Sequence, residues 1–161
     1  MKKAKFPGLN SRRWIKFIDK LPAQEEGESD DSFARRRALA EAIEYVEICV
    51  LMLDRSTVQD LQQRMMTVAA KEDARRAEKD AAHGLSLEFL NGMRAMHREV
   101  VETYVVGMRG IEVGDVDLES ITDPKMLALA IDTAGLLADA SRIAREAQFP
   151  TPQQLEPSGS S

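Results

Sequence analysis

Apolar residues recurring at alternating steps of three and four set most of what this chain can fold into. Leu39, Ile43, Val46, Val50 and Leu53 are spaced 4, 3, 4, 3, and Leu90, Met93, His97, Val100 and Tyr104 are spaced 3, 4, 3, 4. That rhythm places each set on one stripe of an α-helix and asks for a second element to cover it. The first set predicts a long helix from near Asp31 or Ser32 to near Asp54, with Phe33 and Ile48 widening its apolar side. Arg35, Arg36 and Arg37 fall in its first turns, where the helix dipole disfavours cations, so they are expected to pair with neighbouring acids.

A second helix is expected behind Ser56 as cap with Gln59 at the capping-box position, and Val58, Leu61, Met65 and Ala69 form its buried edge. The edge fades at Lys71–Asp80, KEDARRAEKD, which reads as a helix projecting into solvent on local ion pairs and stopped at His83-Gly84. Ser86 caps a third helix, with Leu85 and Leu90 at hydrophobic-staple positions, and puts His97 on the apolar stripe. Asp123 caps a fourth with Pro124 in its first turn, and Leu127, Ile131, Ala134, Leu137, Ala138 and Ser141 make one face of it. At the other end of the chain, Trp14, Ile15, Phe17, Ile18 and Leu21 sit at helical spacing between a cap at Asn10 or Ser11 and a stop at Pro22. The expected fold is therefore all-α, a single bundle of four main helices with a short N-terminal helix. Residues 1–30 form a basic segment and acidic linker, 31–147 the bundle, and 148–161, with their prolines, a flexible tail.

Composition bounds the function. The chain has 161 residues, enough for one domain with a real core, and its 43% hydrophobic and 30% charged residues with a net charge of −5 are ordinary for a soluble protein. Charge is nevertheless segregated. Residues 1–22 carry seven bases against the single Asp19, and Glu25, Glu26, Glu28, Asp30 and Asp31 follow. A basic segment holding Trp14 and Phe17 can contact nucleic acid, bases on phosphates and aromatics on nucleobases, or lie on a protein partner as an amphipathic helix. Lys16 interrupts the apolar run that a signal peptide needs, and no apolar run approaches the roughly 20 residues of a membrane span. A reducing, cytoplasmic compartment is expected.

Nothing in the sequence assembles a catalytic set. His97, near Glu99 and Glu102, has no serine, cysteine or second histidine at pairing distance along the chain, and Cys49 lies among Ile48, Val50 and Leu51 as a core thiol would. The acids of 112–123 lack the alternating register of a calcium loop, and the glycines beside them lack a phosphate-cradle spacing. No enzyme activity, metal or cofactor is expected. Seven methionines, Met52, Met65, Met66, Met93, Met96, Met108 and Met126, together supply the adaptable side chains that suit gripping varied apolar segments, while ordinary helix-core packing is the alternative for any single one.

One stretch departs from the periodic rest. In VVGMRGIEVGDVDLESITDPKMLALAID, residues 105–132, the apolar rhythm stops at Gly107, acids and glycines follow, and a helix restarts at Asp123-Pro124. The arrangement, with matching positions at Val106, Gly107, Met108, Gly110, Ile111, Asp123, Pro124, Leu127 and Ile131, resembles the C-terminal portion of tail assembly chaperones of long-tailed bacteriophages over residues 105–149. The resemblance implies a non-enzymatic protein that binds the tape-measure protein during tail morphogenesis and keeps its long apolar helices soluble. Trp14, Phe17, Met93, Met96, Met108, Leu127 and Ile131 are then the expected partner-binding residues, and Gly107, Gly110, Asp123 and Pro124 a hinge for the last helix. Self-association is compatible with this role. The alternative is a nucleic-acid-binding packaging subunit of small-terminase type, or a regulator, using the basic N-terminus.

Overall fold

The computed structural model describes residues 11–52, 55–78 and 84–149. It overturns the all-α expectation. Three strands, β1 (Arg12–Lys16), β2 (Glu47–Leu51) and β3 (Val105–Arg109), form an antiparallel sheet in that order. A small hairpin of β4 (Glu112–Val113) and β5 (Val116–Asp117) stands apart from it. Five helices complete the described chain: α1 (Asp30–Ala42), α2 (Arg55–Arg76), α3 (Leu87–Tyr104), α4 (Pro124–Thr133) and α5 (Leu137–Ala147).

The expected N-terminal helix is strand β1, and the expected long helix from 31 to 54 is α1, a turn and strand β2. The reason lies in a second periodicity. Val46, Ile48, Val50 and Met52 alternate at period two, and all four are buried. Arg13, Ile15 and Phe17 alternate in the same way opposite Arg12, Trp14 and Lys16. A strand sends alternate side chains to opposite faces, so both runs bury one face only as strands. The run from Tyr45 to Leu51 is also rich in the β-branched residues that lose rotamer freedom in a helix and pack well on a pleated surface. Pairing sets Ile15 against Ile48 and Ile48 against Met108 across the sheet, and backbone bonds from Phe17 N to Val46 O and Met52 N to Ser11 O, both 2.9 Å, extend the first ladder at each end.

The helices follow local signals more closely. Ser29 caps α1, and its hydroxyl accepts from Ser32 N. Of the three consecutive arginines, Arg36 pairs with Glu28 at 2.8 Å and Arg37 with Glu41 at 3.0 Å, while Arg35 Nε reaches only the Asp31 carbonyl. Arg36 also donates to the Ala23 carbonyl, tying the preceding segment to the helix. In α2, Ser56 is the second helical residue, inside the first turn. Ser86 caps α3 as its position predicts, accepting from Phe89 N. Its staple partners Leu85 and Leu90 are both exposed. Asp123 caps α4 with Pro124 at the first position.

The expected fourth helix is two. Gly135, at φ +76°, ends α4, its N–H bonding Asp132 O while Leu136 N–H bonds Ile131 O. Those two bonds are the Schellman pattern, which satisfies the last carbonyls of a helix and turns the chain. Leu136 then opens α5, which packs back along α3.

The acidic run after Gly107 folds into short elements. Its first part is β3, the hairpin turns at Gly114-Asp115 with Gly114 at φ +61°, and a 3₁₀ turn at Leu118–Ser120 packs against β3. Leu118 is wholly buried, and its N–H bonds Ile111 O at 3.1 Å.

Helix α3 is the hub, packing on α2, α4, α5 and β3. The core lies between it and the inner sheet face: Ile48, Val50 and Met108 from the strands, Val100, Val101 and Tyr104 from α3, and Leu127, Ile131, Ala140 and Ala144 from the last two helices. Each large apolar side chain withdrawn there is worth about 1.5–3 kcal/mol.

Of the charged stretch, described to Glu78, Lys71, Asp73, Arg76 and Glu78 face solvent as expected, while Glu72 and Arg75 anchor it. Glu72 is 5% exposed, and its carboxylate accepts from Ser86 N at 3.0 Å, Ser86 Oγ at 2.6 Å, and Arg75 Nε and Nη2. Arg75 in turn donates to Gly84 O. Glu72 thus fastens the end of α2 to the cap of α3. The hydrogen bond from Arg75 foremost, and those from Ser86, hold its pKa at about 2, down from the usual 4.5. A carboxylate depressed on folding contributes stability that is complete above pH 4.5 and lost as pH falls toward 2. Thermal melts from pH 6 down to pH 2 are expected to show that loss, and Glu72→Gln to flatten it while lowering the melting temperature at pH 6. Glu28, lowered to about 2 chiefly by Arg36, adds a loss of the same sign that the Gln variant leaves in place.

Candidate binding surfaces

The structure brings His97 to Ser141, a partner 44 residues away that spacing along the chain does not reveal. His97 Nδ1 lies 2.9 Å from Ser141 Oγ. Ser141 is wholly buried between α3 and α5, out of reach of any substrate, so the pair ties two helices together. Burial, and secondarily the Arg145 guanidinium, push the His97 pKa down and favour the neutral ring. Cys49 is buried too, and burial raises its pKa against the opposing pull of Arg12 and Arg109, which keeps the thiol protonated. Among the described residues, no three His, Cys, Asp or Glu side chains come together as metal ligands would.

The residues expected to bind a partner divide sharply. Phe17, Met96, Met108, Leu127 and Ile131 are core, and Met93 is partly buried against it. Trp14 alone is exposed, at 40%. Of the expected hinge positions, Asp123 and Pro124 form the cap of α4, Gly107 lies inside β3, and Gly110 follows β3 at φ +85°. A Cβ at Gly110 would lie 2.6 Å from the Tyr45 carbonyl oxygen, so any other residue here forces the backbone apart.

Two surfaces of the described residues combine exposed apolar side chains with charge. The first surrounds α1. Of its thirteen residues only Ala40 is buried, and Leu39, read from the sequence as part of a buried seam, is 59% exposed. Between α1, the segment after β1 and α5 runs a groove of about 450 Å³ with an apolar floor of Phe17, Ile18, Ala40 and Ile43 and a rim bearing Lys20, Asp139 and Arg142. Tyr45, at the turn leaving α1, is 82% exposed. What exposes this surface is the end of the helix at Ala42: as a helix running to 54 the same residues would lie on one continuous packed stripe.

The second is the outer face of the sheet. Trp14 pairs with Cys49, which pairs with Gly107, so the indole lies across both small residues, its Cη2 3.4 Å from where a Gly107 Cβ would stand. The Arg109 guanidinium sits over the ring, 4.0 Å from its centroid, and its Nε donates to Glu47 at 3.1 Å. Arg12 and Lys16 flank Trp14 along β1 and are exposed.

Comparison with family models, curated proteins and solved structures finds no match to this chain. No helix among the described residues is long and apolar enough to cross a membrane.

Proposed function

We propose that the protein is a non-enzymatic assembly chaperone of a tailed bacteriophage, acting in the host cytoplasm, whose partner is the tape-measure protein. The observation that carries the reading is the groove beside α1. A thirteen-residue helix that buries one side chain of its own stands next to an apolar trough with a charged rim. An amphipathic helix laid into such a trough would bury its apolar stripe there, the helix-in-groove mode by which proteins hold partner helices. The resemblance of residues 105–149 to the phage chaperones supplies the kind of partner, a long protein of apolar helices. The site moves accordingly from the core methionines to Leu39, Ile18 and Ile43, which line the groove.

The test is tagged capture from cells expressing the surrounding operon, with mass spectrometry and a nuclease-treated control. A very long helical protein retained regardless of nuclease is the expected result. Leu39→Glu is expected to weaken its capture about tenfold or more, as removal of a central apolar anchor does, while leaving stability within about 0.5 kcal/mol because the position is exposed. Undiminished capture by the stable variant would remove the groove from the account.

A further inference from the structure

We propose that the outer face of the sheet is a single-stranded nucleic-acid surface, in which the Trp14–Arg109 stack receives a base and Arg12 and Lys16 take the flanking phosphates. This surface is separate from the α1 groove, and the proposal does not depend on the chaperone reading.

Among the described residues, helices cover the sheet on one side only. Ile15, Ile48, Val50 and Met108 face the helices, while Arg12, Trp14 and Lys16 on β1 and Arg109 on β3 belong to the opposite face. Successive residues on one side of a strand are roughly 7 Å apart, so Arg12 and Lys16 stand about that far on either side of the indole. The order is cation, aromatic, cation along one strand, with a guanidinium stacked on the aromatic from two strands away. The one acid among the outward strand positions, Glu47, is engaged by Arg109. A chain whose net charge is −5 therefore holds a basic surface here.

An acidic peptide would use the cations and leave the indole idle. A single strand uses both, because every base has a π-face to stack on an aromatic or a guanidinium plane while the backbone follows the positive charge. Cys49 and Gly107, both small, let the indole lie flat on the strands, and the Arg109 guanidinium covers its other side, so the outward plane of the stack, on which a base would lie, is the guanidinium's.

Trp14 is the single tryptophan, so its fluorescence reports on this surface alone. The experiment titrates the full chain with a short fluorescein-labelled oligothymidylate, reading anisotropy and Trp14 emission across a salt series. The expected result is quenching of Trp14, with log affinity falling against log salt with a slope of at least about −1.4, the value for two phosphates contacted on a single strand. Arg12→Glu with Lys16→Glu, both at exposed positions and checked for folding by circular dichroism, is expected to weaken binding about tenfold or more. Three outcomes would each overturn the proposal: no change in Trp14 emission, an unchanged affinity in the folded double variant, or equal competition by polyglutamate. The stack would then be only the cover over Cys49 and Gly107.

Discussion

Alanine at Gly110 is expected to lower stability by about 3 kcal/mol, read from the urea midpoint with an unchanged slope. A non-glycine residue held in the left-handed region costs about 1–3 kcal/mol by itself. Here the added Cβ also meets the Tyr45 carbonyl oxygen at 2.6 Å, and backbone cannot rotate aside as a side chain would. The turn that follows α1 and the end of β3 must therefore separate, at the edge of the sheet where Glu47 pairs with Arg109. Gly107→Ala is the control. Its Cβ would make ordinary contacts of 3.4 and 3.6 Å with Trp14 and Cys49, so its cost is expected to stay below about 1 kcal/mol. Equal losses in the two variants would contradict this assignment of the close approach.

Leu118→Ala is expected to cost about 3–4 kcal/mol, within the range for truncating a buried leucine to alanine and leaving a cavity. Leu118 is the anchor of the acidic connector: it is wholly buried, packs in the same core as Met108 and Leu127, and is bound through its N–H to Ile111 O. Its neighbours Asp117 and Glu119 are exposed, and Leu118 is the one fully buried side chain of the segment, with Ile111, Val113 and Ile121 packed half-buried against the core beside it. Hydrogen exchange in residues 111–121 is expected to accelerate in the variant more than in α5. A loss below about 1 kcal/mol would mean that the connector is held by something other than this contact.

Which elements the sequence discloses depends on how local their cause is. Ser86 and Asp123-Pro124 announce their helices because an N-cap is settled by a hydroxyl or carboxylate and the next three N–H groups, all within one turn. The apolar stripe of α3 is legible for the same reason. Strand β2 is not, because positions 46–53 satisfy two periods at once. Val46 and Val50 fit a helical step, while Val46, Ile48, Val50 and Met52 fit a strand, and only the presence of β1 and β3 on either side decides between them. Those partners lie more than 30 residues upstream and more than 50 downstream in the chain. Gly135 was readable as a helix stop, but the apolar residues on both sides of it keep the helical rhythm and hide the break.

The binding surfaces were legible in part. Trp14 and the basic residues around it stand out by composition, yet the partner that gives Trp14 its geometry, Arg109, comes from a strand 95 residues later and leaves no trace near it. Met96 and Met108 point inward, where α3 meets the sheet that is absent from a purely helical picture, while Met66 and Met126 are exposed. The exposure of Leu39 follows from the same cause: once residues 47–51 enter the sheet, α1 is too short to share its seam with the bundle.

Hydrogen–deuterium exchange on the full chain, alone and co-purified with the long helical protein captured from the operon, tests the chaperone reading most directly. The account predicts new protection in residues 17–22 and 30–45, the groove and its helix, with the core of α3 and the sheet unchanged. Protection confined to other surfaces, or none on a partner that remains bound, would contradict it.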